Sequence, residues 1–190
     1  MTKPDSLHFT GEPEADELLA RDPLALLIGM LLDQQYPMEQ AFLGPYRIVQ
    51  RLGRELDARA IAAMDPDELH AVFQQTPAVH RYHGSMAKRT QKLCQHLVDE
   101  YGADAGAVWR DAETGRELFR RLKALPGYGD AKATILVALL GKRLGVQPEG
   151  WREAAGEYGK DGIHRSIADV ATFDDIEKVR HTKQVLKGKA

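Results

Sequence analysis

Residues 23–32, PLALLIGMLL, constrain the fold more than any other part of the chain. Leu24, Leu27, Ile28 and Leu31 form one apolar stripe at helical spacing, and Leu26, Met30 and Leu32 widen it nearly all the way round. A helix that is apolar on every side has no face to offer water and must be enclosed by other elements. It is also too short to cross a bilayer. The stretch therefore predicts a central buried helix, with Asp22 as its N-cap and Pro23 in its first turn.

The remaining segments read as helices around it. Pro37 starts a second helix that runs to about Leu52 and stops at Gly53. Asp65, Pro66 and Glu68 outline a capping box for a third. Ser85 begins a helix that ends at Gly102. Glu113–Ala124 and Gly129–Leu144 flank a glycine-rich turn, and Asp174–Lys187 closes the chain. No segment alternates with the two-residue period of a strand, so the predicted class is all-α, one domain over 1–190. Val146–Val170 resists this reading. It is rich in glycine and charge and is expected to be a loop or insertion with a short helix around Arg152–Gly156.

Charge and cysteine content narrow the function. The formal net charge is −2, so a polyanion partner must be met by a local patch. Two runs qualify. His80–Lys92 carries Arg81, Lys88, Arg89 and Lys92 with no acid, and the C-terminus carries Lys178, Arg180, Lys183, Lys187 and Lys189. Each is equally readable as a solvated helix face. The single cysteine, Cys94, falls in the apolar phase of a helix, and one thiol excludes both an internal disulfide and an iron–sulfur cluster held by four thiolates. The histidines show no zinc-ligand spacing, so no metal site is expected. The N-terminus lacks a signal-like apolar region, and the expected compartment is the cytoplasm.

The turn is Leu122–Ala133, LKALPGYGDAKA. Gly127 can take a positive φ and reverse the chain within a few residues. Gly129 then opens a helix whose first amides are unpaired, and such amides, at the positive end of the helix dipole, hold anions. Ala133 lets the two helices approach closely, and Lys132 in the first turn is positioned to add a charge beside a phosphate. The pattern resembles the helix-hairpin-helix motif, which grips a DNA backbone. Gly127, Tyr128, Gly129 and Lys132 are then the expected backbone-binding residues. The competing reading is a tight turn that binds nothing.

The central helix ends in DQQYPM, with two adjacent amides at the tip of an apolar rod. Taken with LKALPGYGDAKA about ninety residues later, it resembles the HhH-GPD DNA glycosylase superfamily. Members of that family carry an NPFELLIAVLLSAQATD-like or ILSQQ-like helix early and an LPGVG-type hairpin late. The resemblance covers roughly residues 20–145 well and 146–190 poorly. It implies a two-lobed helical fold with DNA in the cleft between the lobes. One lobe spans about 23–125 with the hairpin at 118–141, and the other combines 1–22 with 146–190. It implies that Gln35 fills the gap left by an extruded nucleotide, with Gln34 supporting it or contacting the opposite base and Tyr36 stacking or wedging. The implied partner is lesion-containing double-stranded DNA, bound by a nucleoid-associated monomer of the branch without an iron–sulfur cluster. A structural monovalent cation at the hairpin is the one cofactor the resemblance allows.

The chemistry is where this chain departs from the family. Bifunctional members place a lysine two residues after the second glycine, where this chain has Ala131. Lys132 lies about 100° further round the helix, so a monofunctional enzyme using water is expected. The family's catalytic aspartate follows the second hairpin helix in a VDTHV-like segment. At that spacing this chain has Glu149, which lacks the context. Beyond the insertion, Asp161 and Asp169 compete, with Asp169 preferred for its apolar neighbours. His164 and Arg165 lie between them. Trp151 and Tyr158 either stack on a base or pin the insertion to the core. Two functions stay open: base-excising enzyme, or non-catalytic DNA-binding relative.

Overall fold

The computed structural model describes residues 3–188, and eleven α-helices and no strand occur among them. They are α1 (Pro13–Arg21), α2 (Pro23–Leu32), α3 (Met38–Leu52), α4 (Ala58–Ala63), α5 (Pro66–Gln74), α6 (His83–Tyr101), α7 (Ala107–Arg110), α8 (Gly115–Lys123), α9 (Asp130–Arg143), α10 (Trp151–Ala155) and α11 (Asp175–Gly188). Two 3₁₀ turns, Gly156–Gly159 and Ile167–Asp169, complete the regular structure. The all-α class expected from the sequence is the one observed.

The apolar helix α2 is central. Every residue from Leu24 to Leu32 is buried, and α1, α3 and α6 pack around it. Asp22 caps it as expected, its Oδ1 accepting from the Leu24 amide at 2.9 Å. Asp65 caps α5 by accepting from the Asp67 and Glu68 amides. Gly53 and Gly102 end α3 and α6 in the left-handed conformation. Cys94 is wholly buried, and burial pushes its thiol up to about 12, which leaves it an inert core residue. Three helices, α1, α4 and α7, escape the sequence reading.

The 146–170 stretch is more ordered than a loop. Its helix α10 packs on α8 and α9. Trp151 is buried against Gly141, where any side chain would collide with the indole ring. The Gly115 amide donates to the Glu149 carbonyl at 2.7 Å. Lys142 and Asp169 form an ion pair at 2.6 Å with only 6% and 3% of their side chains exposed. Trp151 therefore pins this segment to the core, and Tyr158, partly buried, packs on the same core.

Candidate nucleic-acid interface

The hairpin between α8 and α9 is closed by two short-range bonds, from the Leu125 amide to the Leu122 carbonyl at 3.1 Å and from the Tyr128 amide to the Leu125 carbonyl at 3.0 Å. Gly127 sits at φ +84°, where a side chain would be strained and would also meet Leu31. Leu122, Leu125 and Ala133 are buried and hold the two helices together. Gly129 is the extended N-cap of α9, and no side chain caps that helix. Gly127, Gly129, Asp130 and Ala131 are exposed. The first amides of α9 thus face outward, as an anion site requires.

Two expected backbone-binding residues point inward instead. The Tyr128 side chain is buried, and its hydroxyl donates to the Leu27 carbonyl at 2.6 Å. The Lys132 ammonium donates to the carbonyls of Met30, of Leu31 at 3.2 Å and of Asp33 at 3.3 Å. These are carbonyls that the last turn of a helix leaves without partners, and a cation there also complements the dipole. Neither side chain is turned toward a phosphate, because each fastens the hairpin to α2. Burial lowers the Lys132 amine to about 8, against the opposing pull of Asp33.

This fastening brings the hairpin to the end of α2. A groove of about 410 Å³ lies between them, lined by Asp33, Gln34, Gly127, Gly129, Ala131 and Lys132 among others. The two glutamines then diverge. Gln34 Oε1 accepts from the Arg89 guanidinium at 2.8 Å. Gln35 is exposed and sits at φ +52°, a left-handed conformation that costs a non-glycine residue roughly 1–2 kcal/mol. Tyr36 lies on the His80 ring with centroids 4.5 Å apart, and Tyr82 follows at 5.8 Å, half-exposed.

His80 is a participant that sequence reasoning missed. Its Nε2 lies 3.1 Å from the Gln34 carbonyl, and its Nδ1 accepts from the Tyr82 amide at 3.0 Å. A carbonyl can only accept, so Nε2 carries the proton and Nδ1 is bare. Burial lowers the pKa and favours this neutral ring. A buried histidine thus clamps the backbone that presents Gln35. In sequence it sits within a basic run, and nothing there marks it as a core residue.

Arg81, just before α6, and Lys88, Arg89 and Lys92, in its N-terminal half, are exposed. Arg89 joins this patch to Gln34. In the C-terminal run two cations are ion-paired: Lys178 with Asp175, and Arg180 with Glu39 and Glu177. Lys183 rests on the Met38 sulfur, and Lys189 lies outside the described residues.

The expected acids are not at the hairpin. Asp169 Oδ1 pairs with Lys142, while Oδ2 accepts from the Arg165 and Ser166 amides at 2.8 and 3.1 Å, completing a capping box with Ser166. Asp161 is exposed and pairs with Arg152 at 3.1 Å. Both line a separate pocket at the far end of α9, with Lys142 and His164. Lys142 is ten residues from Lys132, about 15 Å along the helix. Glu149 is exposed and belongs to the α8–α10 junction, where its carbonyl accepts from the Gly115 amide. Two acids do reach the groove, Asp33 and Asp130. Asp130 is exposed and pairs with Lys123 at 2.8 Å, whereas Asp33 stands at the end of α2. Burial raises its pKa, Lys183 and Lys132 oppose the rise, and Glu39 adds to it. Among the described residues, no group of three or more His, Cys, Asp or Glu side chains is placed to hold a metal ion. No described helix is long and apolar enough to cross a membrane.

Fold and groove together define an all-α helix-hairpin-helix protein whose hairpin is set against the tip of a buried helix. The family model described as HhH-GPD superfamily base excision DNA repair protein matches residues 28–187, and the chain belongs to that superfamily. Its place is thus in base excision DNA repair, among proteins that bind DNA. A search of curated proteins finds no match to the chain.

Proposed function

We propose that the protein is a DNA glycosylase that hydrolyses the N-glycosidic bond of a damaged or mismatched base turned out of duplex DNA, without a lyase step. The observation that carries this reading is the shared groove: uncapped α9 amides on one wall, and Asp33 and Gln34 at the end of α2 on the other. A backbone phosphate on the amides fixes the register of the strand and reads no sequence. Gln35, exposed and next in sequence to the groove-lining Gln34, is suited to the space a flipped nucleotide vacates, where its amide replaces lost contacts. The basic run of Arg81, Lys88, Arg89 and Lys92 supplies the positive surface that the net charge of −2 does not.

Two features of the groove support water as the nucleophile. Ala131 offers no amine, and the Lys132 ammonium is engaged by three carbonyls. The test is a panel of duplexes carrying uracil, alkylated purines, oxidised purines or single mismatches. Alkali should reveal abasic sites on at least one of them, and borohydride should trap no protein–DNA adduct. Salt-sensitive binding with no abasic product on any duplex would favour the non-catalytic reading. An adduct lost in Lys132→Ala would overturn the absence of a lyase step.

A further inference from the structure

We infer that the carboxylate of Asp33, at the C-terminal end of α2, is the group that faces the reacting sugar. This rests on the glycosylase reading above and names the acid of that same site. Position is the first argument. Asp33 lines the groove with Gln34, Gly127, Gly129 and Ala131, whereas Asp161 and Asp169 line the pocket at the other end of α9. The groove's other acid, Asp130, is exposed and taken by Lys123 at 2.8 Å.

Availability is the second. The Asp169 carboxylate is filled by one ammonium and two amides, and Asp161 is held by Arg152. Among the described residues, no hydrogen bond or ion pair takes the carboxylate of Asp33; the residue enters the local network through its backbone. Its amide donates to the Gly29 carbonyl, and its own carbonyl accepts from Lys132. The fold therefore orients Asp33 through the main chain and leaves its side chain free.

Charge is the third. Burial raises the Asp33 pKa and Glu39 adds to the rise, while Lys183 and Lys132 stand near enough to favour the anion. A carboxylate so placed stays a base strong enough to accept a proton.

The chemistry balances with water as the co-reactant. The bond between C1′ and the base nitrogen breaks, and its electron pair leaves with the base, which takes a proton from solvent. The positive charge that develops on C1′ and O4′ is faced by the Asp33 carboxylate. Water adds to C1′ and passes a proton to Asp33, leaving a hemiacetal sugar in an unbroken strand.

The test does not depend on knowing the lesion. Two duplexes are compared, each with one abasic-site analogue: a neutral tetrahydrofuran, and a pyrrolidine whose protonated nitrogen imitates the sugar cation. The wild-type protein should bind the pyrrolidine duplex about tenfold more tightly or better, as expected for a transition-state mimic. Asp33→Asn should lose that preference while keeping its affinity for the tetrahydrofuran duplex, and Asp33→Glu should recover part of it. Asp161→Asn, and Asp169→Asn combined with Lys142→Met so that no ammonium is left buried and unpaired, should keep it. The inference is overturned if Asp33→Asn retains the preference, if the folded Asp169→Asn, Lys142→Met variant loses it, or if the wild-type protein shows none. A protein with the Asp33-dependent preference that excises no base from the lesion panel would sink the glycosylase reading and leave Asp33 as the charge in the groove.

Discussion

At the scale of single residues, Gly129 and Gln35 separate what folding needs from what binding needs. Gly129 is at φ −98° in open space, with nothing within 4 Å of where a Cβ would stand. The isolated fold does not require glycine there. Gly129→Ala should leave stability unchanged or raise it by about 0.4–1 kcal/mol, through a less flexible unfolded chain. Its methyl would stand over the α9 amides, so affinity for duplex DNA should fall in a direct binding titration. Gly127 is the opposite case, since its φ of +84° demands glycine for the fold itself. Gln35 holds a strained backbone with no packing reward. Gln35→Gly should stabilise the protein by about 1 kcal/mol in denaturant unfolding and reduce base excision. Equal excision by the variant would remove the gap-filling role.

At the scale of elements, α2 and α9 are each tied down by a buried lysine, and the two ties behave differently. Lys132 bonds the end of α2 and has its pKa lowered to about 8, against about 10.4 for a free side chain. Below pH 8 both states of the chain are protonated, and folding bears the whole cost of burying the charge. Between about 8 and 10.4 the unfolded chain binds more protons than the folded one, so this contribution to stability rises with pH. Wild-type stability measured against Lys132→Met should therefore improve across that window. Lys142, at the other end of α9, meets a full counter-charge in Asp169. Asp169→Asn would leave a buried ammonium unpaired and should cost about 3–5 kcal/mol. Asp169→Asn combined with Lys142→Met should recover much of that loss in thermal unfolding. A change of stability below about 1 kcal/mol in the single variant would show that the pair does not brace the 146–170 segment against α9.

At the scale of the whole molecule, a chain of net charge −2 should bind DNA through one basic face, and salt is the probe of that face. Each lysine or arginine that meets a phosphate steepens the fall of log affinity with log salt by about 0.9. Replacing Arg81, Lys88 and Lys92 with glutamine should flatten that slope by about 2–3. The same replacements at Lys178 and Arg180, which are already ion-paired, should hardly change it. Much of this molecule is legible in the sequence, because much of it is local. The all-round apolarity of 24–32 determined that α2 is the core. Asp22, Asp65, Gly53, Gly102 and Gly127 marked element ends through capping and left-handed backbone, which depend on a few neighbouring residues. The short helices α4 and α7 carry too little periodicity to be seen and form because they dock. Only the tertiary structure decided which side chains face the groove. Tyr128 reaches Leu27 across 101 residues of sequence, Lys132 reaches Met30 across 102, and Lys142 meets Asp169 across 27. Each contact turns inward a group that the sequence allows equally to face DNA. The physical reason is that a buried helix end must have its carbonyls satisfied and a buried cation must be paired, and no local pattern says which residue will meet either demand.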